Sequence, residues 1–225
     1  MDGHAGIYCP SVRQIADSTV RRLSLYLRFL EELDGRRTTT VSSEALARLG
    51  GTTSAQVRKD LSLFGSFGTR GLGYAVSDLI EVLRDILGLD REWRVAIVGA
   101  GKIGLALANY GGFRQRGFRV VAVYDNDPAK IGGLWDGHHV RDVATMAGDV
   151  ARERPDIAVV TVPAGSAQAT ADIIVSSGIK GILNFAPVKL RVPAGVTVRA
   201  VSMATELELL SYALAQRGLG AKGQA

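Results

Sequence analysis

Apolar residues recur every three or four positions in several stretches of the first half of the chain, which predicts amphipathic helices. The longest stretch covers 12–33, and its apolar stripe consists of Ile15, Thr19, Leu23, Tyr26, Leu27, Leu30 and Leu33. Asp34-Gly35 ends this helix, with glycine as the left-handed stop. Shorter helices are predicted at 43–49, 54–64 and 76–87. We expect the second and third helices to share a small core of Ala45, Leu46, Leu49, Val57 and Leu61.

After residue 92 the pattern changes to short apolar runs that alternate with helical segments. Buried strands are predicted at 94–98, 119–124, 157–162, 179–184 and 196–201. Helices are predicted at 142–153 and 166–177, and another continues from the glycine motif through Leu105, Leu107, Ala108 and Tyr110. This alternation is typical of a parallel α/β sheet. A last helix is predicted at 203–217, with Leu207, Leu210 and Leu214 on one face.

The three consecutive helices before residue 65 have the order of a helix-turn-helix, which a plain helical hairpin shares. The third of them carries side chains suited to base edges and phosphates: Ser54, Gln56, Arg58, Lys59 and Ser62. The glycine-rich stretch 65–74 follows, with Arg70 near its centre. A narrow ribbon with one arginine can enter a minor groove, and the alternative is a flexible loop.

The charge of the chain supports this region only locally. The net charge is +5, yet residues 1–90 hold 11 Lys and Arg against 11 Asp and Glu. Between Arg36 and Tyr74, six basic residues face two acidic ones. The basic cluster therefore coincides with the predicted helix-turn-helix and glycine ribbon, where a polyanion would bind.

A glycine motif follows the first strand of the second half directly. It runs Gly99, Ala100, Gly101, Lys102, Ile103, Gly104, and Asp125 ends the next strand. In a dinucleotide fold such glycines permit the tight turn, the approach of the pyrophosphate and close helix packing, while the helix N-terminus binds phosphate. Asp125 would accept hydrogen bonds from the ribose hydroxyls and repel a 2′-phosphate. The sequence therefore predicts NAD(H) as the cofactor.

Further cofactor-binding candidates lie where the later strands end. They are Thr161, Pro163, Asn184 and Phe185, together with Tyr110 at the end of the first helix of this half. Phe185 is suited to pack beside the nicotinamide, and it is equally suited to be a core aromatic.

No reaction centre accompanies this predicted nucleotide site. The three histidines are His4 in the tail and the pair His138-His139, which we expect in a surface loop. The spacings typical of a zinc site are absent, so we expect no metal. Cys9, the single cysteine, is interpreted as a tolerated tail residue and not as a reactive thiol, because Arg13 is the one basic residue near it. With no signal-peptide pattern and no long apolar run, we expect a cytoplasmic protein without a membrane segment.

Together these residues resemble the redox-sensing transcriptional repressor Rex family. The most specific stretches are 56–62, 68–74 and 181–187. The resemblance implies a homodimer with an N-terminal winged helix, a C-terminal Rossmann domain and a last helix exchanged between subunits. It also implies that NADH releases double-stranded, pseudo-palindromic operator DNA, while NAD+ permits binding.

One position departs from the family pattern. Members commonly carry an aspartate just before the last helix, associated with an arginine of the first helix. This chain has Ser202 at that place and Arg22 as the matching arginine. We predict that Ser202→Asp changes the affinity for NAD+ more than the affinity for NADH.

The sequence therefore predicts an α/β protein that is a repressor and not an enzyme. Its predicted divisions are a disordered tail at 1–11, a winged helix at 12–88, a Rossmann domain at 92–201, the exchanged helix at 202–217 and a tail at 218–225. The predicted DNA-binding residues are Ser43, Ser54, Gln56, Arg58, Lys59, Ser66, Thr69 and Arg70. The alternatives are a small NAD-dependent oxidoreductase with a helical dimerisation domain, and a nucleotide-binding scaffold without a DNA role.

Overall fold

The computed structural model describes residues 15–65, 67–68, 72–135 and 137–222. The chain forms two compact units, Met1–Arg91 and Glu92–Ala225. The predicted N-terminal tail, with Cys9, lies outside the described residues.

The first unit is helical with one two-stranded sheet. Its elements are α1 (Asp17–Gly35), β1 (Thr40–Val41), α2 (Ser43–Leu49), α3 (Ser54–Ser62), β2 (Tyr74–Ala75) and α4 (Val76–Ile86). Helices α2 and α3 begin at side-chain caps, since Ser42 accepts a hydrogen bond from the amide of Ala45 and Thr53 accepts one from the amide of Gln56.

The predicted apolar stripe of α1 forms the centre of this unit. Leu23, Tyr26, Leu27 and Leu30 are fully buried there, and Leu46, Val57 and Leu61 of the next two helices join them. The expectation for Leu49 was wrong, because this side chain is 46% exposed. Leu49 is the last residue of α2, and the buried residues of this helix are Ser43, Leu46 and Ala47.

The described part of the glycine ribbon is held by close backbone contacts within the unit. Strands β1 and β2 pair antiparallel, with Val41 opposite Tyr74. Gly73 has φ +88°, and a Cβ there would overlap the carbonyl oxygen of Val41. Gly68 has φ +86°, and a Cβ there would lie 2.7 Å from the carbonyl oxygen of Gly73. Only glycine fits these two positions, and the ribbon therefore begins and ends at a fixed place beside α2.

The second unit is a seven-stranded sheet with helices. Its strands are β3 (Trp93–Val98), β4 (Phe118–Asp125), β5 (Leu134–Trp135), β6 (His138–Asp142), β7 (Ile157–Val160), β8 (Gly181–Asn184) and β9 (Thr197–Ala200). Its helices are α5 (Lys102–Ala108), α6 (Gly111–Gln115), α7 (Met146–Glu153), α8 (Ala164–Ser176) and α9 (Met203–Lys222). The strand order is β5-β6-β4-β3-β7-β8-β9, and all neighbours are parallel except β5 with β6.

Alternate residues of β3 pack on opposite faces of this sheet, as the two-residue repeat of a strand requires. Ala96 and Val98 join the apolar cluster that contains Ala167 and Ile174 of α8. Val95 and Ile97 join a second cluster on the other face. Helices cover both faces, which confirms the predicted α/β fold.

Two predictions about local structure in this unit were wrong. The His138-His139 pair lies in β6 and not in a surface loop, because this short polar segment pairs with both β5 and β4. Helix α9 continues to Lys222, beyond the expected end at 217. Glycines at 218 and 220 lower helix propensity by about 1 kcal/mol each but do not forbid a helix.

The apolar residues of helix α9 are exposed to solvent. Leu207, Leu210 and Leu214, the stripe predicted from the sequence, are 64%, 55% and 58% exposed, and Met203 and Tyr212 are exposed as well. A stripe of this kind on a single chain marks a surface that a partner can cover.

Candidate functional site

A cleft of the second unit opens where the chain order of the sheet reverses. Strand β3 is central, and β4 lies on one side of it with β7 on the other. Ligands of open α/β sheets bind at the carboxyl ends of strands at such a switch point. Residues that follow these strands line a cleft of about 970 Å³, among them Gly99, Asp125 and Thr161.

The three glycines of the loop after β3 are required for different reasons. Gly99 has φ +110°, and a Cβ there would lie 2.8 Å from the carbonyl of Thr161. A Cβ on Gly104 would overlap the carbonyl oxygen of Gly99, so this glycine lets α5 lie against the loop. A Cβ on Gly101, in contrast, would meet no protein atom within 4 Å. Packing therefore does not explain Gly101, whereas a ligand close to the backbone would.

Asp125 ends β4 with a carboxylate that is 7% exposed. Its Oδ2 accepts hydrogen bonds from the amide of Ala100 at 2.7 Å and from Nζ of Lys130 at 3.0 Å. Its Oδ1 accepts one from the amide of Asp127 at 2.9 Å. Burial alone would raise the pKa of Asp125, but these donors outweigh it and hold the pKa below its usual value. The carboxylate is therefore charged at neutral pH and faces the cleft.

The structure brings most of the predicted cofactor-binding residues together. The lining includes Gly99, Gly101, Lys102, Ile103, Asp125, Thr161, Pro163 and Phe185. Ala100 and Gly104 lie directly behind it and are buried. The sequence interpretation missed Lys130, which also lines the cleft. Lys130 lies five residues after Asp125, in the loop that follows β4. No local sequence pattern marks it as a ligand-binding residue.

Two predicted residues stand apart from the lining. Tyr110 is 59% exposed and packs edge-on against Phe113. Asn184 is buried, and its side chain bonds the backbone of the following loop: Oδ1 accepts from the amide of Ala186, and Nδ2 donates to the carbonyls of Ala186 and Val188. Asn184 therefore shapes the turn that carries Phe185.

The apolar lining residues Val162, Phe185 and Pro187 follow β7 and β8, which lie on the other side of β3 from β4 and its Asp125. This part of the lining is called the apolar end of the cleft. Phe185 also packs on the apolar cluster of the sheet, so both roles expected for this residue are compatible. A cleft with polar groups at one end and apolar groups at the other suits a ligand that also has one polar and one apolar end.

The predicted recognition helix α3 contacts α2 through the side chain of Arg58. Arg58 Nη1 donates to Oγ of Ser43 at 2.9 Å and lies 3.5 Å from the carboxylate of Glu44. Lys59 is exposed beside it, and Ser54 is half-buried at the start of α3. These positions give α3 an accessible basic face. The remaining predicted contacts, Ser66, Thr69 and Arg70, lie outside the described residues.

A buried carboxylate ties α3 to α1. Asp60 is 1% exposed and accepts two hydrogen bonds of 2.7 Å from the guanidinium of Arg22. Tyr26 and Gln56 donate to the same carboxylate at 3.1 and 2.8 Å. Gln56, predicted to contact DNA, is thus engaged within its own unit. Arg22 has its partner there too, while Ser202 caps α9 by accepting from the amide of Thr205.

Comparison with family models divides the chain in a similar way. Residues 14–62 match a family described as putative DNA-binding protein N-terminus. Residues 90–188 match the CoA binding domain family.

Whole-chain relatives decide the family. A redox-sensing transcriptional repressor Rex of Carboxydothermus hydrogenoformans is 47% identical over 88% of this chain and 96% of its own length. One of Streptomyces griseus is 48% identical over 89% of this chain and 79% of its own length. The chain belongs to the Rex family. Rex proteins are transcriptional repressors, so the expectation that this chain is not an enzyme is confirmed and the oxidoreductase alternative is not favoured.

Solved Rex structures have the same fold. The Rex-family repressor RSP is 37% identical and superimposes with a TM-score of 0.86 over 95% of this chain and 100% of its own. RSP has also been solved with β-NADH, and with β-NAD+ and operator DNA. In the described part of this Rex chain, no helix is long and apolar enough to cross a membrane and no group of ligating side chains could hold a metal ion.

Proposed function

We propose that this Rex protein binds NAD(H) in the cleft of its second unit and operator DNA through its first unit, and that NADH releases the DNA. Its membership of the Rex family carries the proposal. RSP, which shares the fold, has been solved with the reduced nucleotide, and with the oxidised nucleotide and operator DNA.

The cleft suits a dinucleotide at each of its parts. Gly101 leaves room for the pyrophosphate, and Asp125 provides a charged acceptor for the adenosine ribose. The nicotinamide would then lie toward Phe185, Val162 and Pro187. When bound, the cofactor supplies only a redox-dependent charge on its ring, since no reaction is proposed.

The apolar end of the cleft gives a physical reason for preferring the reduced cofactor. NAD+ and NADH differ by a positive charge on the nicotinamide ring. Removing that charge from water against apolar side chains costs free energy, and described residues at this end offer no carboxylate to offset it. The cleft therefore favours NADH whenever the ring is enclosed.

The DNA-binding residues we propose are those that α3 and its neighbours present outward. Arg58, held by Ser43, is oriented for a base edge, while Lys59 and Ser54 are suited to phosphates. Ser66, Thr69 and Arg70 of the ribbon would reach the adjacent minor groove. Operator DNA is in the cytoplasm, where we place the protein.

We propose a homodimer that is joined through α9. Its exposed Leu207, Leu210 and Leu214 would be covered by the second subunit. Two copies of α3 then read two half-sites, which suits a pseudo-palindromic operator.

Operator binding measured with and without NADH, at fixed NAD+, tests this function. If NADH lowers operator affinity by some factor, operator must lower NADH affinity by the same factor. We expect operator affinity to fall about tenfold or more, a coupling of about 1.4 kcal/mol. Unchanged affinity at saturating NADH would contradict the proposed switch, and failure to bind either ligand would contradict the function as a whole.

A further inference from the structure

A lysine shares the carboxylate that the nucleotide cleft offers to the ribose. Lys130 Nζ lies 3.0 Å from Oδ2 of Asp125 and 3.7 Å from the carboxylate of Asp127. The lysine side chain is 35% exposed and lines the cleft. Hydrogen bonding and attraction by Asp125 raise the pKa of Lys130, so it stays protonated. Asp125 therefore meets a ligand as half of an ion pair.

The turn between β4 and β5 holds Lys130 in this place. Its amide donates to the carbonyl of Asp127 at 2.9 Å, and its carbonyl accepts from the amide of Gly133 at 3.0 Å. The amide of Gly132 donates to the carbonyl of Val140 in β6 at 2.8 Å. Lys130 is thus fixed at its backbone, and its ammonium has three donors for the carboxylates and a ligand.

This pairing changes what Asp125 can exclude. A lone carboxylate at the ribose repels a 2′-phosphate strongly. An ammonium 3.0 Å from the same carboxylate cancels much of that field and attracts the phosphate itself. The ribose hydroxyls of NADH are neutral and lose less from such cancellation. The discrimination between the two cofactors therefore depends on both residues.

We propose that Lys130 is a specificity-determining residue of this cleft, and that it sets how strongly NADH is preferred over NADPH by neutralising Asp125. The inference rests on the proposed binding of NAD(H). It predicts that loss of the lysine charge strengthens the preference for NADH over NADPH. The lysine acts here by neutralising Asp125 and not only by direct contact with the 2′-phosphate.

Calorimetric titration of the full-length protein with NADH and with NADPH tests this proposal. In Lys130→Met we expect the ratio of the Kd for NADPH to the Kd for NADH to rise about tenfold, equal to about 1.4 kcal/mol. Lys130→Gln keeps a donor for Asp125 but not the charge, and the ratio should rise there too. Asp125→Asn should lower the ratio. Thermal unfolding of each variant checks that it is folded.

Lys102→Met is the matched control. Lys102 lines the same cleft from the start of α5, and no ion pair among the described residues joins it to Asp125. Its loss should change both affinities by a similar factor and leave the ratio unchanged. A ratio unchanged in both Lys130 variants, or raised only in Lys130→Met, or raised equally in Lys102→Met, would overturn the proposal. If wild-type protein binds neither cofactor, the proposed function itself fails, which is a different outcome.

Discussion

At the scale of residues, Gly101 and Gly104 belong to one motif but have different roles. We expect Gly101→Ala to unfold at the same temperature as the wild type, because the added methyl meets no protein atom within 4 Å. It should nevertheless lose NADH affinity by about tenfold or more, since the methyl occupies ligand space.

Gly104→Ala serves as the comparison. Its methyl overlaps the carbonyl oxygen of Gly99, and we expect a loss of about 1–3 kcal/mol in the free energy of unfolding. Denaturant unfolding and calorimetric NADH titration measure both effects. Wild-type affinity in Gly101→Ala would contradict a cofactor close to this backbone.

Asp60 permits a prediction about stability and its dependence on pH. Burial alone would raise the pKa of Asp60, but hydrogen bonds from Arg22 and Gln56 outweigh it and the pKa lies below its usual value. Since the folded pKa is lowered, the carboxylate stabilises the fold above about pH 4, the unfolded value, and this contribution is lost as the pH falls through the folded pKa.

We therefore expect Asp60→Asn to cost about 2–3 kcal/mol at pH 7, near the lower limit for a buried pair because Arg22 is 24% exposed. The cost should shrink in acid. Denaturant unfolding at pH 7 and in strong acid measures the cost in the free energy of unfolding, with exposed Glu81→Gln on α4 as the control. A cost that is equal at pH 7 and in strong acid would argue against the ion pair.

At the scale of elements, α3 presents two basic side chains that are held differently. Arg58 is fixed by Ser43 at 2.9 Å, whereas Lys59 is exposed. We expect Arg58→Ala to weaken operator binding more than binding to unrelated DNA. Lys59→Ala should weaken both alike and reduce the slope of log K against log salt by about 1. Binding isotherms over a range of salt concentrations separate the two, and identical behaviour of both variants would remove the distinction.

Long, periodic elements could be predicted from the sequence, and short ones that depend on distant partners could not. The apolar stripe of α1 and the β3–glycine–α5 unit are local patterns, and the structure has both. Strands β5 and β6 are two and five residues long, and only pairing with each other and with β4 makes them strands. Likewise Asp125 ends a recognisable strand, while Lys130 reaches the cleft through a turn whose geometry the sequence does not display.

At the scale of the whole molecule, α9 carries the prediction about assembly. We expect Leu210→Glu to convert a dimer into monomers, because it places a charge in the centre of the apolar stripe. Sedimentation velocity measures the change, and Glu206→Gln at the start of the same helix is the control. A second result should accompany it: operator affinity falls because one subunit reads one half-site. A monomeric wild type would contradict the proposed dimer.

The distribution of tryptophan has a practical consequence for this two-unit protein. Both tryptophans, Trp93 at the start of β3 and Trp135 in β5, belong to the second unit. Tryptophan emission overlaps the absorption of reduced nicotinamide, so NADH should quench it by energy transfer while NAD+ should not. Intrinsic fluorescence thus reports the state of the nucleotide unit alone. When tryptophan is excited selectively, Tyr26 and Tyr74 of the first unit contribute no emission, so the melting of the second unit alone can be followed without a label.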